Sequence, residues 1–284
     1  MTPLSTDAAA RDAILRLARK LPTSPHIFGR LGRLLNDPNS ELSDIVKLVA
    51  VDSGLTGRVI RLSNSVFFRG EQSVRSLDDA INRVGFKEMH RMVGVAMSEQ
   101  IFQGGLPVYN LSAEQMWENS VVTALAMERL ARSSGADEAE AYTIGLLRNV
   151  GKLVLGTLIQ IEHPEITCPE SDTFDLPKWE HAWAGVTSNE AGCMILEEWK
   201  MADNISVALR DHYRPTDAAG SMSALVHVAC YITQKLEKGF VIENRQWAIT
   251  PETLALSGLT QEWVDACLTE TQEALVELKT RLKG

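Results

Sequence analysis

The chain reads as an all-α protein, a two-lobed helical bundle, and three observations carry that reading. Ala141 to Leu158 (AYTIGLLRNVGKLVLGTL) is apolar nearly all round a helical wheel, as a central buried helix must be. Elsewhere, apolar residues recur at i, i+3, i+4 and i+7 behind residues suited to capping a helix. No stretch alternates with period two for long enough to demand a strand, the best short candidate being VFFRG at 66–70. With 284 residues, 45% of them apolar, the chain can bury one large core or two smaller ones.

Helix signals dominate the first lobe. Leu42, Ile45, Val46 and Val49 form a stripe behind Ser40 as N-cap, and Leu55, Val59 and Leu62 repeat it after Asp52 and Ser53. Ser76 and Asp79 make a capping-box-like start for Leu77, Ala80, Ile81 and Val84, and Gly85 ends that helix in a left-handed turn. A further helix runs from Lys87 to Phe102. The pair about Gly85 resembles a helix-turn-helix, but Phe86, Met89, Met92, Val93, Val95, Ala96 and Met97 make the second helix too apolar for a groove-facing rod. Its methionines read as core filler.

Gly104 to Ser112 (GGLPVYNLS) marks the boundary, dividing the chain into a lobe at 1–105, a second lobe at 106–240 and a C-terminal extension at 241–284 packed on the body. The second lobe opens with a helix at Met116–Leu130, a turn at Ser133–Asp137 and the central helix. His163–Asp175, rich in proline and acid, is a loop. Further helices are predicted at Trp179–Trp199, Ala202–His212 and Ser223–Lys238. Thr260 caps a last helix in which Val264, Leu268, Thr271, Leu275, Leu278 and Leu282 face inward.

Composition narrows the function classes. The net charge of −9 is divided, +3 over 1–105 and −12 over the rest. A basic face of Arg58, Arg61, Arg69, Arg75, Arg83, Lys87 and Arg91 can meet an acidic partner or pair with the chain's own acidic lobe. With a pI near 5.3, nucleic-acid binding is the minor reading. The four cysteines, Cys168, Cys193, Cys230 and Cys267, are too scattered for a zinc ribbon or disulfide framework and fit reduced thiols in a cytoplasm. The start lacks a signal-peptide pattern, and the longest apolar run, Leu153–Ile161, is too short to span a bilayer. The expectation is therefore a cytoplasmic protein with no membrane partner. No Walker loop, dinucleotide fingerprint or nucleophile elbow is present, since GRLGRLL (29–35) lacks the following Lys-Ser/Thr. The histidines, His26, His90, His163, His181, His212 and His227, show no H-x-x-x-H pair.

Arg148, Asn149 and Lys152 interrupt the central helix, and buried charge needs partners. That interruption resembles a signature. LLRNVGKLVL is similar to the LLHDIGKL motif of the HD phosphohydrolase superfamily, whose His-Asp doublet holds metal, but Arg148 and Asn149 stand where the doublet would be. Leu21–Phe68 and Val74–Val93, with LSNS and SLDDAINRVG, resemble the HDOD domain, the HD-related output domain of bacterial signalling proteins; the likeness runs to about Lys238. By that resemblance the superfamily's ligands would fall at Asn119, the pair Arg148 and Asn149, Ser188 and Cys230, leaving only Asp211 and His212 as retained candidates.

An Arg where a divalent ion would sit repels it. The resemblance therefore implies a non-catalytic regulatory module with no metal or other cofactor, acting through a protein partner or a small ligand, with a homodimer compatible. A residual phosphohydrolase is the alternative and a nucleic-acid-binding regulator the second. About 20 residues precede the likeness, so the input signal is expected from another chain or a small ligand. Arg148 is expected to pair with Asp211 across the vestigial pocket, with Glu118 as second choice and snorkelling to solvent as the ordinary alternative.

Overall fold

A computed structural model describes residues 7–21, 24–36, 39–64, 73–169, 171 and 174–283. Among them the only pairing of extended backbone is a single antiparallel bridge, Leu106 to Leu111, inside the boundary segment. VFFRG lies outside the described residues, as do Arg69 and the side chains of His26 and Leu282.

The first region is a cluster of short helices: α1 (Asp7–Ala18), α2 (Ser24–Asn36), α3 (Leu42–Ala50), α4 (Ser53–Ser63), α5 (Leu77–Val84) and α6 (Phe86–Phe102). Asp52 caps α4 by accepting the Leu55 N–H at 2.9 Å, and Ser76 caps α5 through the Asp79 N–H at 3.1 Å. Gly85, at φ +80°, makes the turn between α5 and α6. The N-cap of α3 is Glu41 rather than Ser40: its N–H donates to Asp44, one residue later than the stripe alone suggests. Met89, Met92 and Met97 are buried, as core filler must be.

The second region holds α7 (Ala113–Ser134), α8 (Glu138–Leu147), α9 (Val150–Glu162), α10 (Leu176–Ala184), α11 (Ser188–Glu198), α12 (Asp203–Asp211) and α13 (Gly220–Lys235). Two single helices expected from sequence are each two. The central helix breaks at Arg148–Asn149, where Asn149 has ψ near 3° and interrupts the backbone ladder. The helix expected over Trp179–Trp199 breaks at Gly185, φ +74°, before Thr187 restarts it with a capping box to Glu190. Then come α14 (Pro251–Ser257), which the sequence reading missed, and α15 (Gln261–Lys283). On α15, Val264, Thr271 and Leu275 are buried as expected, with Leu268 and Leu278 half-buried.

Packing joins these parts around one continuous apolar core. Helices α2 and α6 pack on α7 and α8, while α15 lies on α7 and α13. α1, although first in the chain, packs on α9 and α11 of the second region. The 138–162 segment is long and apolar enough to cross a membrane by length and composition, but most of it is buried inside the protein, where it serves as core. At its centre α9 crosses α11 at a backbone-to-backbone distance that only glycine allows. A Cβ on Gly151 would collide with the Ser188 carbonyl and with the backbone of Gly192. That contact brings the start of α11 against the break between α8 and α9.

Candidate functional site

The break gathers the polar residues of the core. Arg148 donates to both oxygens of Glu243, at 3.1 and 2.8 Å, and to Asn119 Oδ1 at 3.1 Å. Lys152, one turn later, places its Nζ 2.5 Å from Glu243 Oε1 and donates to Tyr213 Oη at 2.9 Å. Tyr213 in turn donates to Glu243 Oε1 at 2.6 Å. Both cations and the carboxylate are sealed, with side chains at most 1% exposed. Trp247 and Phe240 flank the guanidinium, their ring centres 5.4 and 5.8 Å from its Cζ.

A shell of hydrogen-bonding groups surrounds this ion triad. Asn149 donates to Asn119 Oδ1 at 2.8 Å and Ser120 Oγ at 3.0 Å, while Asn119 donates to the Lys238 carbonyl at 2.7 Å. Ser188 Oγ lies 3.5 Å from Lys152 Nζ. Its backbone N–H donates to Glu180, which also accepts from Tyr109 Oη at 2.9 Å. His212 stacks on Trp247 and hydrogen-bonds the Leu209 carbonyl through Nδ1. Among the described residues, three buried atoms here lack a hydrogen-bond partner: Arg148 Nε, Asn149 Oδ1 and His212 Nε2.

Burial sets the protonation states. It would raise the Glu243 carboxyl, but the charges of Arg148 and Lys152 outweigh it and hold Glu243 below the usual carboxylate range. Glu180 goes the other way: burial raises it and Lys152 only partly compensates. Burial, with the nearby Arg148 and Lys152 charges, keeps His212 neutral far below its ordinary value. Burial pushes the Cys230 thiol up to about 12.

The structure thus brings Asn119, Arg148, Asn149, Ser188, His212 and Cys230 to one place, and leaves Asp211 out. Asp211 is bound by its neighbour Arg210 at 2.9 and 2.7 Å near the surface. The expected Arg148–Asp211 pair is therefore replaced by Arg148–Glu243. The second choice, Glu118, is also elsewhere, held by Lys238 and Lys279. Nor does Arg148 snorkel, being 5% exposed. Geometry explains the correction: Asp211 ends α12 pointing outward, whereas the 3-10 turn Val241–Glu243 carries its carboxylate into the break. Glu243, Tyr213, Glu180 and the role of Lys152 were all missed from sequence. The available signal was Phe240–Val241–Ile242–Glu243, an apolar run ending on a carboxylate.

These side chains do not fit the divalent metal that the His-Asp doublet of the HD superfamily holds. Two fixed cations occupy the centre, the one carboxylate between them is spent on both, and the thiol is neutral. Among the described residues no group of three or more His, Cys, Asp or Glu is placed to hold an ion.

The basic face is divided. Lys87 pairs with Glu138 at 2.7 Å and Glu128 at 3.3 Å, and Arg91 pairs with Glu128 at 2.7 Å and Glu88 at 3.1 Å. These cations join α6 to α7 and α8, the lobe-to-lobe pairing weighed against an acidic partner. Arg58 donates to the Ala96 carbonyl, and Arg61 with Arg58 draws down the half-buried Glu99 carboxyl that burial raises. Arg75 is exposed and Arg83 half-buried.

Comparison with known proteins agrees with this architecture. The structure is similar to an HDOD domain protein of unknown function from Geobacter sulfurreducens, with 22% identity, TM-score 0.64, and 95% and 97% of the two chains covered. It is similar to a candidate signal transduction protein from Marinobacter aquaeolei VT8, with 21% identity and TM-score 0.68 over 99% of this chain and 67% of the other. A candidate phosphohydrolase from Shewanella amazonensis SB2B matches with 20% identity, TM-score 0.62 and 95% of each chain. At these identities the likeness is one of fold. A curated Treponema pallidum (strain Nichols) protein of uncharacterised function is 21% identical over 214 residues, 74% of this chain, and the match spans only 41% of that relative's length. The profile of the HDOD domain matches residues 21–215, more than half of the sequence, and on that match the chain belongs to the HDOD domain family.

Proposed function

We propose that this chain is a non-catalytic regulatory module of signal transduction, exerting its effect through contacts with a protein partner. One observation supports this above others: at the positions matching the superfamily's metal doublet, a buried Arg148–Glu243–Lys152 triad holds α8, α9 and the 240–247 segment together. The triad does the structural work of a metal, bridging elements distant in sequence, without a Lewis acid or an ionised water. Glu243 lies outside the matched residues 21–215, so the sealing carboxylate comes from beyond the family's common stretch.

The test is direct. Purified protein, supplied in turn with Mn²⁺, Fe²⁺ and Mg²⁺, is incubated with bis(p-nitrophenyl) phosphate. No metal-dependent release of nitrophenol is expected, and elemental analysis after dialysis should find no stoichiometric transition metal. Chelator-sensitive cleavage together with about one bound metal per chain would overturn the reading. Affinity capture from the source cell with mass spectrometry then identifies the partner.

A further inference from the structure

A cleft of about 760 Å³ opens beside Tyr213, the residue whose hydroxyl bridges Lys152 and Glu243. It lies between the starts of α10 and α11, the end of α12 and the Arg245–Gln246 segment. Its volume is that of a small-molecule site and far exceeds what a bare inorganic ion fills.

Four cations and three carboxylates line the cleft, a net charge of +1. Of the carboxylates, Asp211 is neutralised by Arg210, while Asp175 and Glu190 keep their charge and accept the Lys178 N–H at 3.2 Å and the Thr187 N–H at 2.7 Å. Of its four cations, Arg210 has that partner, whereas Lys178 and Arg214 form no salt bridge among the described residues and are exposed. Arg245 adds a further guanidinium to the same wall. Guanidinium and ammonium groups converging on one cleft suit a phosphate, which an arginine binds bidentately. Phe174 and Tyr213, both half-buried, supply aromatic surface at the same lining.

We propose that this cleft binds a phosphate ester bearing a flat ring, the chemistry of a nucleoside monophosphate. The phosphate lies on Lys178, Arg214 and Arg245, and the ring on Phe174 and Tyr213. The ligand stays intact, and because Tyr213 is common to the cleft and the ion triad, its occupancy bears on the junction of α8, α9 and α12. This site goes beyond the regulatory reading and does not depend on it.

Titration calorimetry on the full chain, with AMP and GMP as probes and adenosine and inorganic phosphate as controls, tests the assignment. A nucleotide should bind more tightly than either control, and more weakly as salt rises. Lys178→Ala with Arg214→Ala should weaken that binding at least tenfold, about 1.4 kcal/mol, while leaving the melting temperature of the free protein unchanged. No detectable binding of either nucleotide at millimolar concentration, or binding indifferent to the double variant, overturns the proposal. Release of inorganic phosphate from a bound probe would overturn the statement that the ligand stays intact, and the non-catalytic reading with it.

Discussion

Among the clusters of cations and carboxylates that tie this molecule together, two on α8 and its neighbours differ mainly in water. At the junction of α6 with α7 and α8, Glu128 is buried but its partners Lys87 and Arg91 are 57% and 26% exposed in their side chains. At the break between α8 and α9, Arg148, Lys152 and Glu243 are all sealed. Exposed charges find substitute partners in solvent; sealed ones do not. The same residue types therefore make an adjustable seam in one place and an obligatory clamp in the other.

The sharpest way to break this comparison is Glu243→Gln. It strands two buried cations and should cost about 3–5 kcal/mol, read by denaturant unfolding. A loss under about 1 kcal/mol would mean that water enters and the clamp is no different from the seam. Arg148→Met combined with Glu243→Leu should cost clearly less than the sum of the two single changes, because the pair is removed together.

Acid should strike next. His212 and His90 are buried neutral, His90 lowered to about 3 by burial. Both values lie below the ordinary 6.5, so the unfolded chain takes up the protons first. Stability is complete above pH 6.5 and declines as pH falls below it, towards about 3 for His90, by about 1.4 kcal/mol per pH unit per imidazole. Glu243, also depressed, adds a further loss only below the ordinary carboxylate range. A flat melting temperature between pH 7 and 5 would contradict the sealed environment of both rings.

Glu128→Gln, at the seam, should cost about 1–3 kcal/mol, less than Glu243→Gln. Lys87→Ala should cost about 0–1 kcal/mol, an effect that fades in high salt. Asp211→Asn belongs with this smallest class, its partner Arg210 being exposed. If Asp211→Asn instead matched Glu243→Gln, the identification of the triad would fail.

Legibility followed the range of the interaction. Helices α3 to α6 could be read from stripes and caps because a Ser76 or an Asp52 acts on a backbone N–H three residues away. The breaks at 148–149 and 185–187 were hidden, since apolar spacing continues across them and only the fold shows which side chains turn aside. For the site, Arg148, Asn149 and Asn119 were recognisable as residues that cannot sit in a core unpaired. Their partner was not, because Glu243 is 95 residues from Arg148 and outside the motif that drew attention to the pocket.

By itself the sequence determined the helical class, the buried character of the 141–158 segment, the family, and the need for a counter-charge at Arg148. Each follows from local periodicity, short-range capping or the cost of desolvating a charge, none of which depends on where distant segments lie. Only the tertiary structure decided which carboxylate meets that charge, that Lys152 and Tyr213 share it, that α1 packs on the second region, and that Asp211 faces a cleft instead of the core. Those choices are made between segments far apart in the chain, where many acidic residues satisfy the charge rule equally and packing geometry alone selects among them.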